Sequence, residues 1–190
     1  MGHIAEMDSK TTESQILKWF EKPETKEKGI SLLIEIYQEP LYWHIRKMVL
    51  SHDDTKDILQ EVFLRVWKNI GSFKGNSKLF TWLYQITTNE VSRFLDRKKR
   101  TLKKNEVLQE IMQTELENSP WISGDEIQMK LQKAILQLPR KQQLVFNMRY
   151  FDDMNYEDIA EILESSVESL KVSYHYACKK ITVQLNNEII

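Results

Sequence analysis

The sequence predicts an all-α protein, and three observations support that prediction. Its 190 residues include only five glycines and four prolines, so few positions interrupt a helix. Long stretches repeat their apolar residues with a helical period, and strand-like alternation is absent. Hydrophobic residues make up 41% of the chain, which is enough to build helical cores. The length suffices for one ordinary domain or two small ones.

Composition also limits the classes of function. The formal net charge is −1, so any contact with nucleic acid must come from charge that is concentrated locally. Cys178 is the single cysteine, which leaves no internal disulfide and favours a cytoplasmic protein. No apolar run reaches the roughly 20 residues that span a membrane. The histidines share no ligand spacing, and no catalytic pair or phosphate loop appears, so we expect no metal, cofactor, small-molecule substrate or enzyme activity.

The chain divides into two helical blocks. A short N-terminal helix and a polar break at residues 23–29 precede a dense helical block from Ile30 to about Lys104. Residues 105–129 contain six acidic residues, no Lys or Arg, and the loop signals Asn118-Ser119-Pro120 and Ser123-Gly124. A second helical block follows, to about Leu185. The prediction is two small helical domains, 1–104 and 126–190, joined by an acidic linker, 105–125.

The helix predicted from Asp53 to Ile70 has an apolar half and a polar half. Leu64 lies in the middle of the polar half. One interpretation is a solvated face with a single leucine of no consequence, because lone exposed hydrophobic residues are common. The other is an apolar contact for a partner, ringed by polar groups.

A polar turn and a basic helix come next. Gly75, Asn76 and Ser77 form the turn. In the helix that follows, Leu79, Leu83 and Ile86 share one face, and the other face carries Phe80, Tyr84 and Gln85. The far end holds the basic run Arg93, Arg97, Lys98, Lys99, Arg100, Lys103 and Lys104. Aromatic rings beside cations suit single-stranded DNA, because rings stack on bases and cations follow phosphates. Alternatively, the aromatic residues belong to the core and the basic run is a solvated helix end.

The last block has the pattern of a helix-turn-helix. Pro139 lies in the first turn of one helix, and Asn155 is a natural N-cap for the next. Ser166 can cap a final helix from Val167 to about Leu185. Such a pattern is typical of DNA-binding domains, although plain antiparallel helix pairs share it.

These segments together resemble the extracytoplasmic-function (ECF) sigma factors of bacterial RNA polymerase. Residues 53–67 look like region 2.2 of that family, 72–84 like region 2.3, and 85–99 like region 2.4. The Leu138-Pro139 opening, Tyr156 to Ala160 and Val167 to Lys171 are similar to region 4. The resemblance implies an alternative sigma factor whose partners are core RNA polymerase and promoter DNA. Relatives are often held inactive by an anti-sigma factor, and the polymerase supplies the catalysis.

The resemblance also implies site residues. The contact candidates for core polymerase are Asp57, Gln60, Glu61, Leu64 and Lys68. Those for the minus-10 element are Phe73, Lys74, Asn76, Ser77, Lys78, Tyr84, Asn89, Arg93 and Arg97. Those for the minus-35 element are Ser166, Glu168, Ser169, Lys171, Val172 and His175.

The chain departs from the family pattern at a few positions. Glu90 is an acid on the DNA-side helix, where it would tune specificity or face away. Glu164 occupies a turn position that is usually glycine, and Ser173 and Tyr176 stand where basic residues are frequent. The alternative function is a helix-turn-helix regulator that binds DNA without polymerase. That alternative explains the last domain but neither the Leu64 face nor the aromatic loop.

Overall fold

The computed structural model describes residues 6–73, 75, 77–102, 105–117 and 126–187, and the ordered elements in these ranges are all helical. The all-α prediction is therefore confirmed. The α-helices of this part of the chain are α1 (Glu6–Phe20), α2 (Lys26–Val49), α3 (His52–Asn69), α4 (Leu79–Leu102), α5 (Asn105–Glu117), α6 (Glu126–Leu136), α7 (Arg140–Phe146), α8 (Tyr156–Ile162) and α9 (Val167–Asn187).

The first four helices form a bundle around α2, which contacts α1, α3 and α4. The core includes Leu33 and Leu41 from α2 and Val62 from α3, all fully buried. The predicted break at 23–29 is shorter than expected, because α2 already begins at Lys26. Gly29 lies inside this helix where α1 comes close: a Cβ there would lie 3.2 Å from the ring of Phe20. A glycine here therefore permits a close helix–helix approach and does not end the helix.

The C-terminal half contains the predicted helix-turn-helix, with both predicted caps. A five-residue π-helical turn, Asn147–Phe151, separates α7 from the loop before α8. The Asn155 side chain accepts a hydrogen bond from the backbone N–H of Asp158 at 2.7 Å, and Ser166 accepts one from Ser169 at 3.3 Å. Ile159 and Leu170 are fully buried where α8 and α9 meet. These contacts fix the angle at which α9 leaves the turn.

The acidic segment that the sequence predicted as a linker begins with a helix, α5. Leu116 is fully buried in a small cluster with Leu50 at the end of α2, and Met112 packs beside them. Glu117 forms an ion pair with Lys133 of α6 at 2.8 Å. Leu108, Met112 and Leu116 repeat every four residues, which is the signal of an amphipathic helix. The loop signals at 118–120 and 123–124 lie outside the described residues.

The two halves of the molecule pack against each other. Helix α8 contacts α4, and the turn after α7 contacts α2. A single hydrophobic cluster contains Leu83 and Tyr84 from the first half together with Met148 and Ile159 from the second. The DNA-side helix predicted from the sequence therefore has the helix-turn-helix as its direct neighbour.

The Asn155 cap supports a stability prediction. Asn155→Ala removes the acceptor for the Asp158 amide, and we expect the free energy of unfolding to fall by about 1 kcal/mol. In a protein of this size that corresponds to a melting temperature lower by roughly 2–4 °C, measured by circular dichroism. Asn69→Ala is the matched control, because Asn69 also precedes a helical turn but its side chain makes no capping bond. An equal loss in both variants would contradict the capping role.

Candidate polymerase and DNA interfaces

The face of α3 around Leu64 is solvent-exposed. Leu64 is 44% exposed, although the residues on the opposite side of the helix, Ile58, Val62 and Val66, are buried. Ser51 caps this helix by accepting a hydrogen bond from the Asp54 amide. The other four predicted contact residues are also exposed, and in the described part of the chain their charged members form no ion pair: Asp57, Gln60, Glu61 and Lys68. The buried side of α3 packs in the core, and the opposite side, with Leu64 and these polar residues, faces solvent.

The loop before α4 is partly packed against that helix. The Phe73 ring lies 5.3 Å, centroid to centroid, from the ring of Trp82, and both rings border the main core. Gly75 has a φ of +70°, a conformation that glycine adopts without strain. Ser77 is half-buried and Lys78 is exposed. The other predicted loop residues, Lys74 and Asn76, lie outside the described residues.

Tyr84 is the predicted minus-10 residue that does not fit an exposed DNA-binding face. It is only 3% exposed, and its ring centroid lies 4.8 Å from His44 of α2. Burial raises the pKa of the Tyr84 hydroxyl, and the negative charge of Asp152 raises it further. The prediction that Tyr84 contacts the minus-10 element disagrees with this arrangement: the helix-turn-helix covers this part of α4, so the ring cannot stack on a base.

Glu90 faces the bundle interior. It is 5% exposed, and its carboxylate lies 2.6 Å from Arg65 Nε of α3 and 2.5 Å from Arg93 of its own helix. Of the two interpretations of Glu90, that it tunes specificity or that it faces away from DNA, the second agrees with the structure, because the side chain is buried. It joins α3 to α4 and orients Arg93, which remains exposed. Sequence periodicity could not find this role, because it depends on an arginine from another helix.

The cations at the end of α4 differ in how far they are already neutralised. Lys98 forms an ion pair with Asp54 at 2.7 Å, and Arg100 donates to the Asp96 carbonyl. In the described part of the chain, Arg97 and Lys99 are exposed and have no acidic partner. Lys103 and Lys104 lie outside that part. Arg97 also borders a shallow groove with Phe94, Lys98, Thr101 and Leu102. Asn89 lies further along the helix and is exposed.

The N-terminal part of α9 presents most of its predicted DNA residues to solvent. Glu168, Lys171, Val172 and His175 are exposed, and Val172 and Tyr176 add an apolar strip. Ser169 is half-buried and accepts a hydrogen bond from Lys141 at 3.0 Å, while Ser166 is engaged as the cap. The Lys171 ammonium lies 5.8 Å from the centroid of the Tyr156 ring of α8. Lys171 is therefore exposed on a helix whose opposite side, with Leu170 and Ala177, is fully buried.

No helix in the described ranges has the length and apolarity required to cross a bilayer. Within the same ranges, no cluster of His, Cys, Asp and Glu side chains has the arrangement of a metal site.

Comparison with known proteins gives the family. The model for sigma-70 region 2 matches residues 33–101, and the model for sigma-70 region 4 matches residues 128–181. The ECF RNA polymerase sigma factor SigW of Bacillus subtilis is 27% identical over 164 residues, which cover 82% of this chain and 88% of SigW. The ECF RNA polymerase sigma-E factor of Escherichia coli K12 is 26% identical over 158 residues, covering 76% of this chain and 80% of that protein.

Two solved structures share the fold. CnrH, solved in complex with the cytosolic domain of CnrY, has a TM-score of 0.67 at 14% identity and covers 94% of this chain and 97% of its own. The sigma factor RpoE of Bartonella quintana, solved with the anti-sigma factor NepR, has a TM-score of 0.64 at 19% identity and covers 84% and 98%. Since the two sigma-70 models together match well over half of the chain, it belongs to the sigma-70 family, as an ECF sigma factor that directs RNA polymerase in promoter-specific transcription initiation.

Proposed function

We propose that three surfaces of this chain each make one of the contacts that transcription initiation requires. The exposed face of α3 docks on core polymerase, the loop at 73–78 with α4 binds the minus-10 element, and α9 binds the minus-35 element. The domains that carry them are residues 1–104 and 126–190, with 105–125 as the connection. The main support is the exposure of Leu64 on α3 among polar side chains whose charged members form no ion pair in the described part of the chain.

The α3 surface suits a protein partner. An apolar side chain at the centre of an interface gains the most from desolvation, and surrounding polar groups exclude water from it. Asp57 and Glu61 carry negative charge two turns and one turn before Leu64 on α3, and Lys68 adds one positive charge one turn after it. We infer that the partner surface has an apolar pocket with mainly basic groups at its rim.

The loop at 73–78 and helix α4 have the side chains expected of a surface that binds a DNA strand with unstacked bases. A base that is flipped out of the duplex can be held by packing and hydrogen bonds in a small pocket, which Phe73 and Ser77 would border. Cations further along α4 would follow the phosphates of the same strand. Arg97 is well placed for this, because no acidic side chain in the described part of the chain neutralises it.

The cations of α4 therefore allow a matched comparison. Arg97→Ala should weaken holoenzyme binding to promoter DNA about tenfold or less and reduce the slope of log affinity against log salt by about one. Lys98→Ala should have a smaller effect, because Lys98 is already paired with Asp54. Both are measured by filter binding across a salt series. If Lys98→Ala weakens binding more than Arg97→Ala, the phosphate track is misassigned.

The chain supplies recognition, and the bond-forming chemistry belongs to the polymerase. We accordingly propose that it acts in the cytoplasm, where bacterial polymerase and promoters are found. The solved structures of similar fold are complexes with CnrY and with the anti-sigma factor NepR. On that basis we propose that an anti-sigma factor also binds this chain.

Run-off transcription tests the proposed function. Purified core polymerase is supplied with a pool of fragments from the genome that encodes the chain, with and without the protein. We expect new discrete transcripts that depend on the protein. If the protein retards DNA by itself but produces no transcript and does not bind core polymerase, it is instead a helix-turn-helix regulator.

A further inference from the structure

Two large apolar side chains lie next to each other on the exposed side of α9. Val172 is 55% exposed and Tyr176 is 50% exposed, although Leu170 and Ala177 on the opposite side of the helix are fully buried. Residues four apart in a helix differ by only about 40° around its axis, so these two side chains share one face, one turn apart. We call Val172 and Tyr176 the apolar strip.

The apolar strip lies between positive charges. Residues 167–180 of α9 contain three lysines and one acidic residue, Glu168. Lys171 precedes the strip, and Lys179 and Lys180 follow it. All three lysines are exposed, and in the described part of the chain none of them forms an ion pair. Cations on both sides of an apolar contact favour a nucleic acid as the partner, because the lysines can bind phosphates while the strip faces the bases.

The chemistry of the valine limits which base it can select. The Val172 side chain has neither a hydrogen-bond donor nor an acceptor, so it can contact a base edge only through apolar atoms. In the major groove, thymine is the one base of the four that presents a methyl group. The other three bases present amino groups or acceptors at that edge, and these would lose their hydrogen bonds to water against a valine. Val172 therefore favours thymine.

The position of the strip along α9 suits contact with base edges. The helix begins at Val167, which places Val172 in its second turn and Tyr176 in its third. The N-terminal part of a recognition helix is the part that contacts bases in the major groove. The Tyr176 ring lies one turn after Val172 on the same face, where a large ring excludes water from the smaller apolar contact beside it.

We propose that Val172, with Tyr176 beside it, contacts the methyl group of a thymine and thereby selects an A·T pair at one position of the minus-35 element. The proposal rests on the proposed binding of α9 to that element, and it adds the base that the helix selects there. A methyl contact involves no charge, so it contributes to base preference without contributing to the salt dependence of binding. A phosphate contact from Lys171 would contribute to the salt dependence instead.

Selection of DNA by the holoenzyme identifies the position. Core polymerase assembled with the unmodified chain selects bound fragments from a pool of random duplex DNA, and the bound fragments are sequenced. We expect an enriched upstream element with a thymine at one or more fixed positions. Enrichment of no upstream element would overturn both the proposed role of α9 and this inference. An enriched upstream element without a fixed A·T pair would overturn the inference and leave the role of α9 standing.

Base analogues at the selected position test the methyl group by itself. Uracil in place of thymine removes only the C5 methyl, so holoenzyme affinity measured by filter binding should fall about fourfold, the effect of one buried methyl group. Cytosine should bind more weakly than thymine, and 5-methylcytosine should recover part of that loss because it restores the methyl. Equal affinity for the thymine and uracil duplexes at every fixed thymine would contradict the proposal.

The variant Val172→Ala assigns the methyl contact to this residue. It should weaken binding to the thymine duplex about fourfold or more and leave binding to the uracil duplex almost unchanged, because the partner methyl is already absent there. The slope of log affinity against log salt should stay the same, since no charge is removed. Helical content should be kept, because alanine has the higher helix propensity and the side chain is exposed.

Val183→Ala is the matched control. Val183 is 51% exposed on the same helix but lies about 16 Å further along its axis, beyond the part that contacts bases. This variant should keep the unmodified preference for thymine over uracil. Equal weakening of both duplexes by Val172→Ala would show that Val172 does not contact the methyl. Weaker assembly with core polymerase and an unchanged base preference would assign the apolar strip to a protein partner and overturn the proposal.

Discussion

Leu64→Asp should weaken binding to core polymerase at least about tenfold, which corresponds to roughly 1.4 kcal/mol or more. The substitution places a charge at the centre of an apolar contact, where it would be desolvated without a partner. The buried side of α3 is untouched, because Ile58, Val62 and Val66 face the opposite direction. Fluorescence anisotropy with labelled protein and purified core polymerase measures the loss.

The control for this prediction is Val183→Asp. Val183 is 51% exposed near the end of α9, so the same type of change is made outside the α3 face. Both variants should keep their helical content, since both side chains are exposed. Normal core binding by Leu64→Asp would show that the docking face lies elsewhere. Equal weakening by the two variants would point to a general effect of added negative charge.

Lys171→Ala should reduce holoenzyme affinity for its promoter by about fivefold to 150-fold, equivalent to about 1–3 kcal/mol. Lys171 is exposed on the second turn of α9, and its ammonium lies 5.8 Å from the centroid of the Tyr156 ring. We expect Lys171 to carry much of the attraction of this helix for DNA, because residues 167–178 contain no other Lys or Arg. The domain should remain folded, because the side chain is outside the core.

Salt titration distinguishes the two kinds of contact that Lys171 can make. Loss of a phosphate contact reduces the log–log salt slope by about one on every template. Loss of a base contact changes the preference at one position of the minus-35 element and spares the other positions. Lys18→Ala, an exposed lysine of α1, controls for the change in net charge. If Lys171→Ala binds all templates as tightly as the control, α9 does not contact DNA through this residue.

Local sequence patterns were sufficient for most of the secondary structure. The caps at Asn155 and Ser166 formed as predicted, because a capping side chain reaches only the amides of the next turn. The position of Leu64 on α3 also followed from periodicity alone, since a helix places residues every 100°. The sequence prediction of a linker did not include helix α5 at the start of the acidic segment. The acidic residues indicated a linker, whereas the spacing of Leu108, Met112 and Leu116 indicates a helix.

Side-chain environments that depend on another helix were not predictable in this way. The carboxylate of Glu90 is buried because Arg65 comes from α3 to meet it. Periodicity placed Tyr84 on a different face of α4 from Leu83, but the helix-turn-helix packs on that face and buries the ring. A helical wheel describes one helix and contains no information about what packs on its other face.

The amphipathic pattern, the caps and the family-like segments specified the helices, the exposed α3 face and the class of protein. The contact between the Asp152 carboxylate and His44 depends on packing, because the two residues are separated by 108 positions in the sequence. No local rule relates two such residues. Their pairing becomes favourable when apolar burial brings α8 onto α4 and removes water from both, because a buried charge then requires an opposite one. The arrangement of the two halves is therefore a property of the folded core and not of any one segment.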